Sequence, residues 1–508
     1  MDVGEMQRKL AVWSTEDRER KFDRLLRLIA NREWLMEAAK KALASSGAKT
    51  AGVDRVTRDR FTSVLEHEID TLRRELLDGS YRPRPVRRVY IPKQNGKLRP
   101  LGIPTLRDRI VQRAMVMVME PIWESDFHRN SYGFRPNRSV HHAIQAVAAQ
   151  MTDSGRARTK GRWVIEGDLA SYFDTVHHRK LVGCIKRRIQ DKRFIQILWR
   201  FLRAGHVDAG IFQVSSAGVP QGGVISPLLS NIMLNELDRY MEERYVGASA
   251  RNVTRGWNAS VKKQTPIAVR ERRELRPCVS YTRYADDFTV VVKGRRAEAE
   301  AIREELRGFL EKELRLTLNM EKTHVTHVND GFVFLGHRII RKRGDRGHMR
   351  VVTGIPWKSY RRFADELTHL LSGDHHLKAV AMIQAINRKI RGWTAFYRHA
   401  IYTGPMYKRI DTAVFWKLAH WLARRHKGSI PLAMRKWYQR STLRGGIRTW
   451  VAHQQIEGKT VSAALLKCAH GPKKYRLAPP SETNPYLALP KAGVSRSSYA
   501  ETAIITGT

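Results

Sequence analysis

Cysteine is scarce in this chain: Cys184, Cys278 and Cys468 stand far apart in 508 residues. No Cys-x-x-Cys pair exists, which excludes a thiolate zinc site of the finger or ribbon kind and fits a reducing cytoplasm. Long apolar runs are missing too. Nothing reaches the roughly 18 residues that a membrane-spanning helix needs, and the N-terminus shows no apolar-cored leader, so a soluble protein is expected. Internal repeats are absent, which sets aside solenoids and propellers. Negative charge is also short: 49 Asp and Glu face 93 Lys and Arg, a formal net charge of +44. Self-repulsion on that scale is relieved by a polyanion, and with no membrane segment the polyanion is expected to be nucleic acid.

The few acids fall in informative places. Tyr281-Thr-Arg-Tyr-Ala-Asp-Asp-Phe288 sets Asp286 and Asp287 side by side between two β-compatible stretches, the second being Thr289-Val-Val-Val292. The pattern predicts a hairpin with both carboxylates at its tip. Adjacent carboxylates repel unless a cation sits between them, and Mg²⁺ suits one or two carboxylates plus substrate phosphates. A solvated turn is the bland alternative, but a third acid changes the balance. Trp163-Val-Ile-Glu-Gly-Asp168 runs as a short apolar strand into Asp168. Glu166 alternates to the other strand face, and Asp174 suits a helix start. Three acids from neighbouring strands can hold two metals for phosphoryl transfer.

Further blocks occur in order: Thr50-Ala-Gly-Val-Asp54, Arg87 to Gly102, Ser131-Tyr-Gly-Phe-Arg-Pro-Asn-Arg-Ser139, Ala217-Gly-Val-Pro-Gln-Gly-Gly223, Gly331-Phe-Val-Phe-Leu-Gly336 and Arg388-Lys-Ile-Arg-Gly-Trp-Thr-Ala-Phe-Tyr-Arg398. With the acid blocks, this ordered set resembles the reverse transcriptases of bacterial group II introns, which also act as intron maturases. The resemblance implies an α+β right-hand polymerase with fingers, an antiparallel-sheet palm, a helical thumb and a basic helical C-terminal region. It implies a helical extension over 1–85, fingers and palm over 86–350, thumb and maturase domain over 351–410, a basic DNA-binding region over 411–480 and a flexible tail over 481–508.

The resemblance also assigns roles. Asp168, Asp286 and Asp287 would be catalytic and, with Leu169, would hold two Mg²⁺ ions, Mn²⁺ being a substitute. Lys93, Arg99, Arg87, Phe173 and Gln221 would contact the nucleotide, Phe173 as the gate against a ribose 2′-hydroxyl with Tyr172 as the alternate. Arg388, Lys389, Arg391 and Arg398 would contact nucleic-acid backbone. Residues from 341 onward hold 31 Lys and Arg against 8 Asp and Glu, so this third is expected to grip phosphates. Partners would be group II intron RNA, an RNA template with DNA primer, target DNA and dNTPs, in a cytoplasmic ribonucleoprotein, as monomer or dimer. No paired cysteines for an HNH-like endonuclease follow Ala469, so second-strand cleavage is not expected. Alternatives are a domesticated or defence-associated reverse transcriptase, a splicing-only RNA-binding maturase and a DNA-templated repair polymerase.

Overall fold

The computed structural model describes residues 1–92, 96, 98–152, 162–215, 217–247, 253–258, 263–268, 278–344, 347–373, 377–471 and 477–488, without the side chains of 253–258, 263–268 and Ile456. The chain forms two compact units. The first comprises Met1–Val147, Arg158–Thr326 and the chain from Pro479, the second Ala148–Ala157 and His327–Ala478.

The first unit opens on helices. Leu106–Trp123 is buried nearly all round, with Ile110, Val111, Ala114 and Met115 fully enclosed, so it is central and is wrapped by Val3–Glu16 and Arg32–Ala44. Thr105 caps it by accepting the Asp108 N–H at 3.2 Å. Trp34 fixes the packing, its indole N–H donating to the Ala114 carbonyl at 3.0 Å. The apolar spacing of Arg20 to Ile29 predicts one helix, but only Leu25–Ile29 is helical. Arg24 before it sits at φ 56, a left-handed conformation that interrupts the run.

Two four-stranded sheets and further helices follow in this unit. In the first, β1 (Val86–Pro92) pairs antiparallel with β2 (Leu98–Ile103) as the Asn-Gly turn predicts. The sheet continues through β4 (His206–Asp208) and β5 (Ile211–Gln213) in the order β2-β1-β4-β5. The second has the order β10-β3-β9-β8, built from β3 (Trp163–Gly167), β8 (Cys278–Tyr284), β9 (Asp287–Lys293) and β10 (His324–His327). Val164, Ile165, Val279, Tyr281, Val290 and Val292 bury their side chains in its core. Between the Ser226–Met241 helix and β8 the sequence is basic and turn-rich, the pattern of an insertion. There β6 (Val253–Asn258) and β7 (Lys263–Ala268) pair antiparallel.

The second unit combines a sheet of β11 (Phe332–Phe334), β12 (His337–Arg343) and β13 (Met349–Gly354) with helices Trp357–Gly373, Ala379–Phe396 and Gly404–Arg425. A second antiparallel sheet follows: β14 (Tyr438–Ser441), β15 (Ile447–Ile456) and β16 (Lys459–Ala464). This sheet is an addition to the expected helical C-terminal region. Two expected boundaries also fall inside elements. Position 350 lies within β13, and 410 lies within Gly404–Arg425, whose buried Ile410, Val414, Leu418 and Leu422 form one uninterrupted stripe. The start of the expected tail is seated in the first unit: Asn484 is buried and donates its amide to the Pro121 carbonyl and the Ser125 hydroxyl, both at 2.8 Å. No helix among the described residues is long and apolar enough to cross a membrane.

Candidate active site

The hairpin that carries Asp286 and Asp287 is pinned from below. Tyr284 pairs with Asp287, leaving Ala285 and Asp286 as a two-residue turn with Ala285 at φ 55. A left-handed alanine costs free energy and persists only where its surroundings over-determine it. Arg283 supplies much of that constraint. Its guanidinium donates to the Ala285 carbonyl and to Asn231 Oδ1, each at 3.0 Å, and to both oxygens of Asp238, at 2.7 and 2.5 Å. The Arg283 and Asp238 side chains are fully buried. Tyr281 completes the cluster by donating its hydroxyl to Asp238 at 2.9 Å. Asn231 and Asp238 both lie on the Ser226–Met241 helix, so one helix positions the turn. From the other side Gly133 approaches so closely that a Cβ there would lie 2.4 Å from the Ala285 nitrogen.

The third acid arrives across the sheet. β3 and β9 pair as far as Gly167 opposite Phe288, so Asp168 directly follows the last paired residue of β3, at the end of the sheet where β9 begins with Asp287. The three carboxylates sense one another. Asp286 is raised above the ordinary carboxylate range first by burial and then by Asp168, with Arg99 and Arg283 opposing. Asp287 is pushed up to about 7 by desolvation, then by Asp286 and Asp168, with Lys322 opposing. Its side chain keeps an exposed face, so the like charges of Asp286 and Asp168 act on it more than burial does. Asp168 has its own partners, Lys322 Nζ at 3.0 Å and the Asn319 amide at 3.2 Å. Among the described residues no three His, Cys, Asp or Glu side chains could hold a metal ion unaided. An all-oxygen set of repelling carboxylates nevertheless fits Mg²⁺, which draws its remaining ligands from water and substrate phosphates. Leu169 is buried and bridges Leu318, so only its backbone could serve an ion. Glu166 is engaged elsewhere, accepting the Thr326 hydroxyl at 2.7 Å.

Phe173 and Tyr172 are distinguished by their surroundings. Tyr172 is fully buried and donates its hydroxyl to the Ser230 carbonyl at 3.1 Å, whereas Phe173 is half-buried and meets Tyr172 edge-on. The Phe173 carbonyl accepts the Val219 N–H at 2.6 Å, tying it to the Pro220-Gln-Gly-Gly223 loop. That loop reaches the fingers. Gln221 accepts the Arg99 Nε–H at 3.0 Å through its side chain and the Gly102 N–H at 2.6 Å through its backbone. The next residue must be glycine: Gly222 has φ +105, and a Cβ would lie 2.5 Å from the Gly102 carbonyl. Arg99, Gln221 and Phe173 therefore form one linked group, and Asp174 extends it as an acceptor 3.5 Å from the Gln221 amide.

Other expected contacts are not in that group. Arg87 donates to the Ala51 carbonyl at 3.1 and 2.7 Å, anchoring the Thr50–Asp54 loop. Arg135 fixes the fingers through buried Glu124 at 2.9 Å. Lys93 lies outside the described residues. Arg388, Lys389, Arg391 and Arg398 are exposed in the second unit. Lys389 is ion-paired with Glu366 at 3.2 Å, and Arg398 donates to His399 at 2.9 Å. The sequence reading missed Arg283, Asp238, Asn231, Asn319 and Lys322. Arg283 stands two residues before Ala285, on the inward face of a strand where a cation needs a buried partner, which is a usable signal. Lys322 gave none, since lysine is common near turns.

Comparison with known proteins agrees with this arrangement. The sequence profile of the family described as "Reverse transcriptase (RNA-dependent DNA polymerase)" matches residues 91–339, and that of "Group II intron, maturase-specific domain" matches 360–441. Protein YkfC of Escherichia coli is 61% identical over 371 residues, 73% of this chain and 97% of that protein. The group II intron-encoded protein LtrA of Lactococcus lactis is 33% identical over 65% of this chain and 59% of its own length. A putative COX1/OXI3 intron 2 protein of Saccharomyces cerevisiae is 29% identical over 66% of this chain and 43% of its own length. The chain thus spans little more than half of LtrA and less than half of the yeast protein. The paired acids at the sheet end, the linked Arg99–Gln221 group and the two profile matches lead to one conclusion: this chain belongs to the reverse transcriptases and maturases encoded by group II introns.

Proposed function

We propose that the chain copies RNA into DNA at Asp168, Asp286 and Asp287 with two divalent ions, Mg²⁺ by the chemistry of the donors, and that it also assists splicing of its intron RNA. The observation that carries the reading is the β3–β9 pairing, which ends where Asp168 follows β3 and Asp287 opens β9, beside the turn bearing Asp286. When bound, the ions would activate a primer 3′-hydroxyl and stabilise the leaving pyrophosphate. The backbone of Leu169 is the remaining protein donor we assign to them.

The other residues position substrate. Arg99, held through its Nε by Gln221, offers its guanidinium to the triphosphate in charge-assisted hydrogen bonds, and Lys93 is assigned the same role. Phe173, tied by its carbonyl to the Gln221 loop, presents its ring where a ribose 2′-hydroxyl would project. Arg87 acts on the template indirectly, by fixing the Thr50–Asp54 loop. Arg388, Lys389, Arg391 and Arg398 meet RNA or heteroduplex phosphates. Target DNA, dNTPs and a cytoplasmic ribonucleoprotein complete the proposal. The test is primer extension on an RNA template by Asp286→Asn beside an intron-RNA titration. Loss of extension by about a hundredfold or more, with RNA affinity within a few fold, supports the assignment. Full extension overturns it.

A further inference from the structure

Most tryptophans of the second unit are covered: Trp437 is half-buried against His426, with ring centroids 4.4 Å apart. Trp421 and Trp450 are fully buried, and half-buried Trp393 stacks on Phe363 with centroids 4.4 Å apart and planes 7° apart. These build the core. Trp357 and Trp416 differ: they are 42% and 49% exposed. Large aromatic faces left in water mark binding surfaces when they sit among groups complementary to one ligand.

Their neighbours meet that condition. On helix Gly404–Arg425 the exposed positions Arg409, Thr412, Trp416, His420 and Arg424 recur at three- and four-residue steps, so they form one face. Trp357 joins the near end of this stripe and stacks on Tyr360, with ring centroids 4.8 Å apart and planes 24° apart. The Arg409 guanidinium lies 5.0 Å from the Trp357 ring centroid and that of Arg361, one turn along its own helix, 5.4 Å. The helix has a single acid, Asp411, and it is turned away. Its carboxylate accepts the backbone N–H of Cys468 at 2.6 Å and of Ala469 at 3.2 Å. On the Trp357 helix, Glu366 is held by Lys389 at 3.2 Å, and Asp365 comes a turn beyond Arg361. The stripe therefore alternates cations with aromatic faces, and about 10 Å of helix separates the levels of Arg409 and Trp416.

We infer that this stripe binds an unpaired segment of RNA. Trp416 stacks on a base, and the cations on either side of it hold the phosphates, Arg361 and Arg409 at the Trp357 end and Arg424 at the other. A duplex offers such a surface only grooves and backbone, whereas an indole ring needs the open face of a base. Charge complementarity selects a polyanion, and the exposed Trp416 ring selects one with free bases. The choice of RNA rests on the group II intron reading, because the maturase-specific profile covers 360–441 and so includes Arg361, Arg409, Trp416 and Arg424.

The test uses the full chain and three labelled probes: an unpaired oligoribonucleotide, an RNA duplex and single-stranded DNA of the same sequence. Titrations run at salt raised to about 0.5 M, where backbone contacts elsewhere on this basic protein weaken. Trp416→Ala is expected to weaken unpaired RNA about tenfold or more and the duplex by less than about twofold. Trp416→Phe restores most of the affinity, because a ring is kept. Arg409→Ala lowers the log-log salt slope by about 0.7, whereas Trp416→Ala leaves it unchanged. Trp416 is half in water, so thermal midpoints should match the parent chain. Unchanged RNA binding overturns the inference, as does equal loss on duplex. Equal loss on DNA overturns the choice of RNA. A parallel titration with whole group II intron RNA separates the two readings: no preference over unrelated RNA sinks the intron reading while leaving a stripe effect visible.

Discussion

Replacing Arg283 by Lys tests whether the buried cluster beneath the turn positions the acids proposed as catalytic. Lysine keeps a charge opposite Asp238 but offers one nitrogen where the guanidinium spans three acceptor groups. The bonds to the Ala285 carbonyl and Asn231 Oδ1, each 3.0 Å, should be lost or exchanged for one of those to Asp238. A buried acceptor left unpaired costs about 1–3 kcal/mol, so two of them predict a destabilisation of about 2–6 kcal/mol. Complete removal, as in Arg283→Met, also strands the Asp238 charge, which is worth about 3–5 kcal/mol and should endanger folding. Lysine is therefore the informative variant.

The kinetic consequence follows from geometry. Ala285 holds φ 55 next to Asp286, and its carbonyl is released in the variant. If the turn relaxes by even about 1 Å, the acids no longer meet the reacting phosphate as before, a displacement that commonly costs about a hundredfold in rate. Primer extension should therefore show kcat reduced by about 10- to 100-fold with KM for dNTP nearly unchanged, because Arg99 and Gln221 are untouched. Thermal unfolding reports the stability loss on the same sample. A variant that is destabilised yet retains parental kcat would refute the positioning argument and leave Arg283 a core residue only.

Three further outcomes follow. Phe173→Ala should raise ribonucleotide use relative to deoxyribonucleotide without equal loss of overall rate; relaxation by Tyr172→Ala instead would contradict the burial that distinguishes the two rings. Asp287 binds its proton more tightly when folded, at about 7 against an ordinary 3.8, so metal-free stability should fall as pH rises from about 4 to 7. Thermal midpoints against pH would check this, and both Mg²⁺ and Asp287→Asn should flatten the slope. Combined Lys389→Ala, Arg391→Ala and Arg398→Ala should lower the salt slope of RNA binding by about 2–3 while short-template extension survives at moderate salt. Because Lys389 pairs with Glu366, its share should be the smallest.

What could be read from the sequence was set by the range of the interactions involved. The β8–β9 hairpin was legible because both strands, their turn and two of the acids lie within a short stretch, and the strand-terminal position of Asp168 was legible from the apolar run before it. The Asn-Gly turn likewise announced the pairing of β1 with β2. The supports were not legible. Asp238 lies on a helix and differs in no local way from a solvated acid, and only the fold brings it to Arg283. The interrupted helix at Arg24 and the sheet at 438–464 depend on tertiary packing, which overrides local periodicity.

This division explains how the active site can exist at all. Three acids brought together at a sheet end oppose folding, as the raised Asp286 and Asp287 record, and a left-handed alanine adds to the opposition. The fold holds them because each is attached to something that does not depend on the acids. Asp168 continues a buried strand and is steadied by Lys322 and Asn319; Asp286 and Asp287 begin where Arg283, Asn231 and Asp238 fix the turn. Ligation of a divalent ion would then remove the repulsion without moving the backbone. The stability restored to the metal-free chain by Mg²⁺ should accordingly shrink in Asp287→Asn, where one repelling charge is already gone, but persist in Phe173→Ala, where all three acids remain. Equal Mg²⁺ stabilisation of Asp287→Asn and the parent chain would mean that the ion acts elsewhere on the protein.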